Sequence, residues 1–325
     1  MTTVATSPTT SPVPERPSCA AIERGLRHTR GVPELPEVET VRRQLEPLLT
    51  GSVVVDAWAF PSQKFTDAPA AVGNRITGVR RRGKYLLTQL EPARDGSSDL
   101  SSHRSERLEL VIHLGMTGRL SIDRQSSDRQ SSNPRSSDQQ SSNPHLRARW
   151  LLDDGRSLQF VDVRRFGRVA VVQAGEYSTL PTLAALGPEP WDPAFTGDAL
   201  RTYVNSRRRY IKTLLLSQRP VAGVGNIYAD EALWRAGVHP ASRHLTRRQA
   251  DELADAVRAV LSEGVEHGGT TLRDYRDAAG SEGDHQHHLD CYGRGDEPCP
   301  RCGTLLRRTI VDARGTTFCP TCQRR

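Results

Sequence analysis

The chain of 325 residues lacks any run of about 18 apolar residues, which excludes a membrane-crossing helix. Its opening stretch, MTTVATSPTTSPVPERPSCAAIERGLRHTR, has no apolar core and so does not read as a secretory signal. Cysteine is scarce. Of six, four form two close pairs near the C-terminus, while Cys19 and Cys291 have no partner apparent in sequence. That distribution fits a metal site in a reducing cytosol better than a disulfide framework. Methionine occurs only twice, as Met1 and as Met116 within HLGMTG.

Charge is present in both signs, with 45 Lys+Arg against 38 Asp+Glu and a net of +7. The excess favours a polyanionic partner without establishing one. Basic residues concentrate in VRRRGK (79–84), DVRRFGR (162–168) and NSRRRYIK (205–212). Each alone reads more readily as a solvated face; three together on one basic chain make a nucleic-acid surface an equal reading.

Residues 1–32 are rich in Ser, Thr, Pro and Arg without apolar periodicity and are expected to be disordered. From Leu35 onward Val38, Val41, Leu45 and Leu48/Leu49 recur at helical spacing, with Pro36 suited to a first turn, which predicts a helix over 36–49. Strand-like runs follow at 52–60, 75–90, 107–116, 147–163 and 167–173. They predict a β-rich catalytic domain over 33–174, a sandwich or barrel, interrupted by flexible insertions at 93–107 and 123–145. The second insertion holds a duplication, SSDRQSSNPR then SSDQQSSNPH, whose composition cannot bury a core. A linker over 175–195 leads to helical patterns at 198–208, 211–218, 225–237 and 246–268, within a second domain spanning 196–290.

The last module, 291–325, contains CPRCGTLLRRTIVDARGTTFCPTC. Each C-x2-C turn presents two thiolates, and the intervening residues suffice for a hairpin that brings the pairs together. Cys299, Cys302, Cys319 and Cys322 are therefore expected to hold one Zn2+. Four thiolates close the coordination shell, so the site is structural, stabilising a module too small to fold alone. Arg307, Arg308 and Arg314 lie on that hairpin, in reach of phosphates.

PELPEVETVRR (33–43), GKYLL (83–87), HLGMTG (113–118), DVRRFG (162–167), GVGNIYADEALW (223–234), TTLRDY (270–275), YGR (292–294) and the four-Cys ribbon occur in this order. Together they closely resemble the bacterial formamidopyrimidine-DNA glycosylases, over about residues 33–325. The resemblance implies an α+β multi-domain fold. Its parts are an N-terminal β-sandwich flanked by helices, a helix–two-turn–helix module and the zinc finger. It implies a monomeric, cytoplasmic enzyme of base excision repair, with double-stranded DNA carrying oxidised bases or abasic sites as partner and no membrane. The leucine of PELPEVE favours this branch over the endonuclease VIII-like enzymes for oxidised pyrimidines.

The family's nucleophile, the amine of an N-terminal proline, matches Pro33. A terminal amine with a pKa near 8 is roughly a tenth neutral at pH 7, far more than a lysine. A secondary amine attacking the sugar C1′ forms an iminium that permits strand cleavage by elimination. Pro33 within a longer chain has only an amide nitrogen and would be inert. Val32 stands where an initiator methionine belongs, and a GTG codon reads as valine internally but starts bacterial chains. Translation from codon 32 would expose Pro33; proteolytic processing, or an inactivating extension, are the other readings.

By the same resemblance Glu34 is the general acid/base, Glu37 a supporting carboxylate and Lys84 the lysine that grips phosphate beside the lesion. Met116, Arg164 and Phe166 match the trio inserted where the flipped base leaves the stack. His113, Lys212, Asn226 and Arg314 match backbone-holding groups. The segment AAGSEGDHQHHLDC (278–291) falls where the family has a flexible lid over the base, with His285 in place of a common phenylalanine and Cys291 in place of a common valine. Its three histidines raise metal binding as a second reading. Two rival functions remain: a lesion sensor without catalysis, its proline blocked, and a zinc-ribbon transcription factor, which leaves Pro33, Glu34 and the inserted trio unexplained.

Overall fold

A computed structural model describes residues 32–93, 107–124 and 143–325. Residues 1–31 of the expected extension, most of the first insertion and all but the last three residues of the Ser-rich duplication lie outside the described residues. Helix α1 (Leu35–Leu49) starts where Pro36 fits the first turn. Its N-terminus is closed by the Glu37 carboxylate reaching back to the Glu34 N–H at 2.7 Å. The helix buries Val38, Val41, Leu45 and Leu49 against the sheets, yet Leu35 belongs to the helical core that follows. The head of α1 therefore sits at the junction of two modules.

Eight strands build the first module: β1 (Val54–Ala59), β2 (Asn74–Arg82), β3 (Tyr85–Pro92), β4 (Leu108–His113), β5 (Gly118–Arg124), β6 (Leu146–Leu152), β7 (Arg156–Asp162) and β8 (Arg168–Gln173). They form two four-stranded antiparallel sheets, β2-β3-β4-β8 and β1-β6-β7-β5. Ile76, Val79, Leu86 and Ile112 of one sheet share a core with Leu120, Trp150, Leu158 and Phe160 of the other. That is the expected sandwich. The first sheet is buried on both faces, since Tyr85, Leu87, Val111 and Ala170 pack outward under Leu180 and Leu183. This explains the near-continuous apolar runs of β3 and β4.

Two of the strand-like runs are hairpins. Residues 75–90 divide at Gly83, whose φ of +55° turns the chain and puts Lys84 at the tip; 147–163 divide at Gly155, with φ +81°. Strand β5 was not expected from sequence, because Leu120 is its one large buried side chain among the described ones.

After the short helix α2 (Pro181–Ala184), the second module comprises α3 (Gly197–Asn205), α4 (Ile211–Leu216), α5 (Asn226–Arg235) and α6 (Arg247–Glu266). Thr196 and Thr246 cap α3 and α6 with their side chains. Helix α5 begins at Gly225 without any side-chain cap of its own. The chain closes with the hairpin β9 (Arg307–Val311) and β10 (Arg314–Phe318), joined by Asp312 and Ala313 at φ +43° and +61°. No described helix is long and apolar enough to cross a membrane.

Phe160 ties the sheets to the loops at their end. A Cβ on Gly118 or Gly167 would come within 2.8 or 2.5 Å of its ring. Phe160→Ala is expected to lower stability by about 3–5 kcal/mol, read as a reduced urea midpoint at unchanged slope.

Candidate active site and nucleic-acid interface

Pro33 and Glu34 are buried where α1 meets the N-terminus of α5. In this chain the Pro33 nitrogen is an amide, bonded to Val32. The Glu34 carboxylate supplies the cap that α5 lacks: Oε2 accepts the Gly225 N–H at 2.5 Å and Oε1 the Ile227 N–H at 2.9 Å. Leu35 N–H donates back to the Gly223 carbonyl at 3.1 Å. A Cβ on Gly225 would lie 2.3 Å from the Glu34 Cδ and 2.4 Å from the Lys84 Nζ. The β2–β3 hairpin thus brings Lys84 to the same glycine face as Glu34, and only glycine leaves room for both.

Burial dominates the electrostatics here. It raises Glu34, against the opposing charge of Lys84 and the N–H bonds from Ile227 and Gly225. It lowers Lys84, opposed by Glu34 and Glu37 and aided by the positive charge of Arg314. Glu37 is pushed up to about 7, first by burial and then by the charge of Glu34. Three donors hold Glu37: the Thr270 N–H at 2.6 Å, the Glu34 N–H at 2.7 Å and the Tyr228 hydroxyl at 2.9 Å. The site therefore holds two carboxyl groups and an amine whose protonation states lie closer together than in water, which suits proton transfer near neutral pH.

Met116, Arg164 and Phe166 come together as one group. The Arg164 Nη1 lies 3.3 Å from the Met116 Sδ, and its guanidinium stands 4.7 Å from the Phe166 ring centroid. Phe166 is 48% exposed, an aromatic ring held in solvent. The organiser is Asp162, fully buried, which sequence reasoning passed over. Its Oδ1 accepts the Thr117 hydroxyl at 2.5 Å and the Arg164 N–H at 3.2 Å, and its Oδ2 the Gly167 N–H at 2.7 Å. Gly115, at φ +68°, lets the two loops touch; a Cβ there would stand 2.5 Å from the Phe166 carbonyl carbon. The signal available was the aspartate that opens DVRRFG, a carboxylate beside a turn.

His113, ending β4, accepts the Gly115 N–H at Nδ1 (3.1 Å) and packs on Tyr85. Burial, with the charge of Lys84, lowers it to about 4, so the ring is neutral with its proton on Nε2. Lys212 is not at the open surface. It is fully buried, pairs with Asp230 at 2.6 Å, and donates to the Gly315 carbonyl and Thr316 Oγ1, both at 2.9 Å. Asn226 Nδ2 donates to the same carbonyl at 3.1 Å. Both residues hold the finger loop, on which Arg314 is exposed.

Only part of the segment expected to form a lid packs inward: 279–282 are exposed, while Gly283, His285 and Gln286 are buried. Its residues His285–His288 form a 3-10 turn, with His285 only 2% exposed and stacked on Tyr228. Among the described residues the only metal-holding group is the four cysteines, so the histidines do not assemble one.

The Cys299, Cys302, Cys319 and Cys322 sulfurs all lie within 4.8 Å of one another, close enough for one tetrahedral ion at Zn–S distances of about 2.3 Å. The donor set fits one structural Zn2+, which would crosslink the two ends of the finger. Trp234 Nε1 donates to the Cys299 sulfur at 3.4 Å, orienting it from helix α5. Gln323 joins the Cys319 N–H to the Val238 carbonyl, docking the finger on the helical module. Atomic emission should find about one zinc per chain, and Cys319→Ser should lose it and weaken the salt dependence of DNA binding as Arg314 loses its support.

Three family models match the chain: the formamidopyrimidine-DNA glycosylase N-terminal domain over residues 32–169, its H2TH domain over 186–276, and a zinc finger found in FPG and IleRS over 296–325. The formamidopyrimidine-DNA glycosylase of Deinococcus radiodurans is 41% identical over 296 residues, covering 90% of this chain and 97% of its own. The crystal structure of the MutM (Fpg) protein from Thermus thermophilus superposes with a TM-score of 0.75 at 43% identity, covering 90% of this chain and 98% of that one. A Lactococcus lactis Fpg in complex with DNA containing an abasic site gives 0.72 at 29% identity, covering 90% and 100%. This chain belongs to the formamidopyrimidine-DNA glycosylase family.

Proposed function

We propose that this protein is a bifunctional DNA glycosylase and abasic-site lyase of base excision repair, acting on oxidised purines through the amine of Pro33 once that residue is N-terminal. The observation that carries the reading is the packing of the Glu34 carboxylate and the Lys84 ammonium against Gly225, next to Pro33. The freed secondary amine attacks C1′, the base leaves with a proton, and the sugar ring opens as Glu34 protonates O4′. The bond formed is N–C1′; those broken are the glycosidic bond and C1′–O4′. The cationic iminium then acidifies C2′–H, and successive β- and δ-eliminations expel the 3′ and 5′ phosphates before water releases the sugar fragment. Proton transfers of this kind contribute about 10²–10⁴-fold.

The DNA roles are those the resemblance implies, and the packing of these residues supports them. Lys84 and the Nε2–H of His113 meet phosphate beside the lesion, and Arg314 approaches it from the finger. Lys212 and Asn226 act through the Gly315 carbonyl. Met116, Arg164 and Phe166 fill the gap left by the flipped base, Arg164 hydrogen-bonding to the orphaned partner base and Phe166 wedging into the stack. A second reading is favoured by the amide state of Pro33: with the preceding residues attached, the protein binds damaged DNA without cutting it.

Borohydride trapping on an 8-oxoguanine duplex separates the two. The chain beginning at Pro33 should form a covalent adduct and the 1–325 chain should not; equal trapping by the unprocessed long chain would assign the nucleophile elsewhere. In the active form Glu34→Gln should slow excision about 10²–10⁴-fold. Gly225→Ala should abolish trapping while zinc content stays unchanged, because the new methyl displaces Glu34 and Lys84 together.

A further inference from the structure

Behind Glu37 lies a cluster of aromatic and imidazole rings. Tyr228, whose hydroxyl holds Glu37, is fully buried and stacks on His285 at 5.5 Å and 16°. The His285 Nδ1 lies 3.1 Å from the Nδ1 of His267 at the end of α6, and His267 stacks on His288 at 3.8 Å. The same segment braces the turn that delivers the Thr270 N–H to Glu37. His285 N–H donates to the Gly269 carbonyl at 3.1 Å, and Gln286 Oε1 accepts the Thr271 N–H at 2.9 Å. Gly283 packs so closely that a Cβ would meet the Gly269 carbonyl oxygen at 2.1 Å.

We infer that His285 is a positioning residue for Glu37, acting through Tyr228 and the 268–271 turn, and that its contact with His267 makes this brace release in acid. The inference deepens the glycosylase reading and rests on it for its catalytic consequence. An Nδ1···Nδ1 hydrogen bond needs one proton and one lone pair. Protonating both facing nitrogens sets two N–H groups and two charges against each other. The groups around His285 are His267 and Glu263 from α6, Tyr228 and Arg235 from α5, and Asp284, His287 and His288 from its own segment. Glu263 favours a charge on His285, but it already pairs with Arg235 at 2.6 Å. Asp284 lies 3.2 Å from His288 Nε2.

Burial, then the charge of His267, lowers His285 to about 4. An undocked segment would titrate near the ordinary value of about 6.5. Released chains thus bind more protons than docked ones between those values. Docking is complete above that window and weakens as pH falls through it, by about tenfold at pH 5.5 relative to pH 7.5.

Amide exchange on the full zinc-loaded chain tests this without reference to catalysis. Protection of the residue-285 amide, which donates to the Gly269 carbonyl and not to a group that titrates in this range, should fall about tenfold from pH 7.5 to 5.5 once corrected for intrinsic rates. In His285→Phe, which keeps a ring against Tyr228 but cannot titrate, it should not change with pH. His285→Ala should lower it at both. A flat wild-type profile, or the same slope in His285→Phe, overturns the inference. In whichever form of the protein shows covalent trapping, the ratio of 8-oxoguanine excision to cleavage of a preformed abasic site should drop in acid for wild type only. Absence of trapping in every form would defeat the glycosylase reading, while the exchange result would still decide this one.

Discussion

The bond on which the architecture depends is that between the Glu34 carboxylate and the N-terminus of helix α5. Helix α5 starts at Gly225 with no side chain to satisfy its first amides, and a buried amide without a partner costs about 1–3 kcal/mol. The cap arrives from 191 residues away in sequence, on the other module. One carboxylate therefore completes a helix, joins the sandwich to the helical module and stands beside Pro33. The α5 dipole and its two N–H groups favour the charged form, while burial opposes it, and the balance leaves a carboxyl group able to give and take a proton.

A similar economy of means orders the exposed trio. An arginine, a thioether and a phenylalanine in solvent would sample many rotamers, and docking them on DNA would cost that entropy. Asp162 removes much of the backbone freedom in advance by binding Thr117, Arg164 and Gly167 at once, and the Arg164–Phe166 contact limits the side chains. The strain is localised at Arg165, which takes φ +57° between Arg164 and Phe166.

What could be read from sequence was what local chemistry imposes. The zinc ligands follow from thiol spacing and helix α1 from apolar periodicity and Pro36. What could not be read was long-range pairing. Asp162 and Tyr228 look like ordinary motif members until their partners, 45 and 191 residues away, are known. Strand β5 escaped because half of it faces outward. His285 was expected in a lid over the base, yet imidazole can be buried where a hydrogen-bonding ring awaits it, and His267 is such a ring. Lys212 shows the converse: a lysine in a basic run was expected at a phosphate, but Asp230, 18 residues on, draws it into the interior.

The basic runs themselves divide in the same way. In VRRRGK, Arg81 bonds Glu39 and Glu189, and Arg82 bonds Glu189 and the carbonyls of Leu186 and Gly187. Those guanidinium groups anchor the 186–189 segment behind the hairpin, and Glu189 also takes the Gly83 N–H at 2.7 Å. Counting charge along the sequence assigns them to DNA; counting carboxylates in space assigns them to holding Lys84. The net positive charge still draws the protein toward a polyanion at long range, where only the sum matters. At contact distance the chemistry falls to the few cations whose counter-charges are incomplete, and the surrounding arginines serve by keeping the hairpin still.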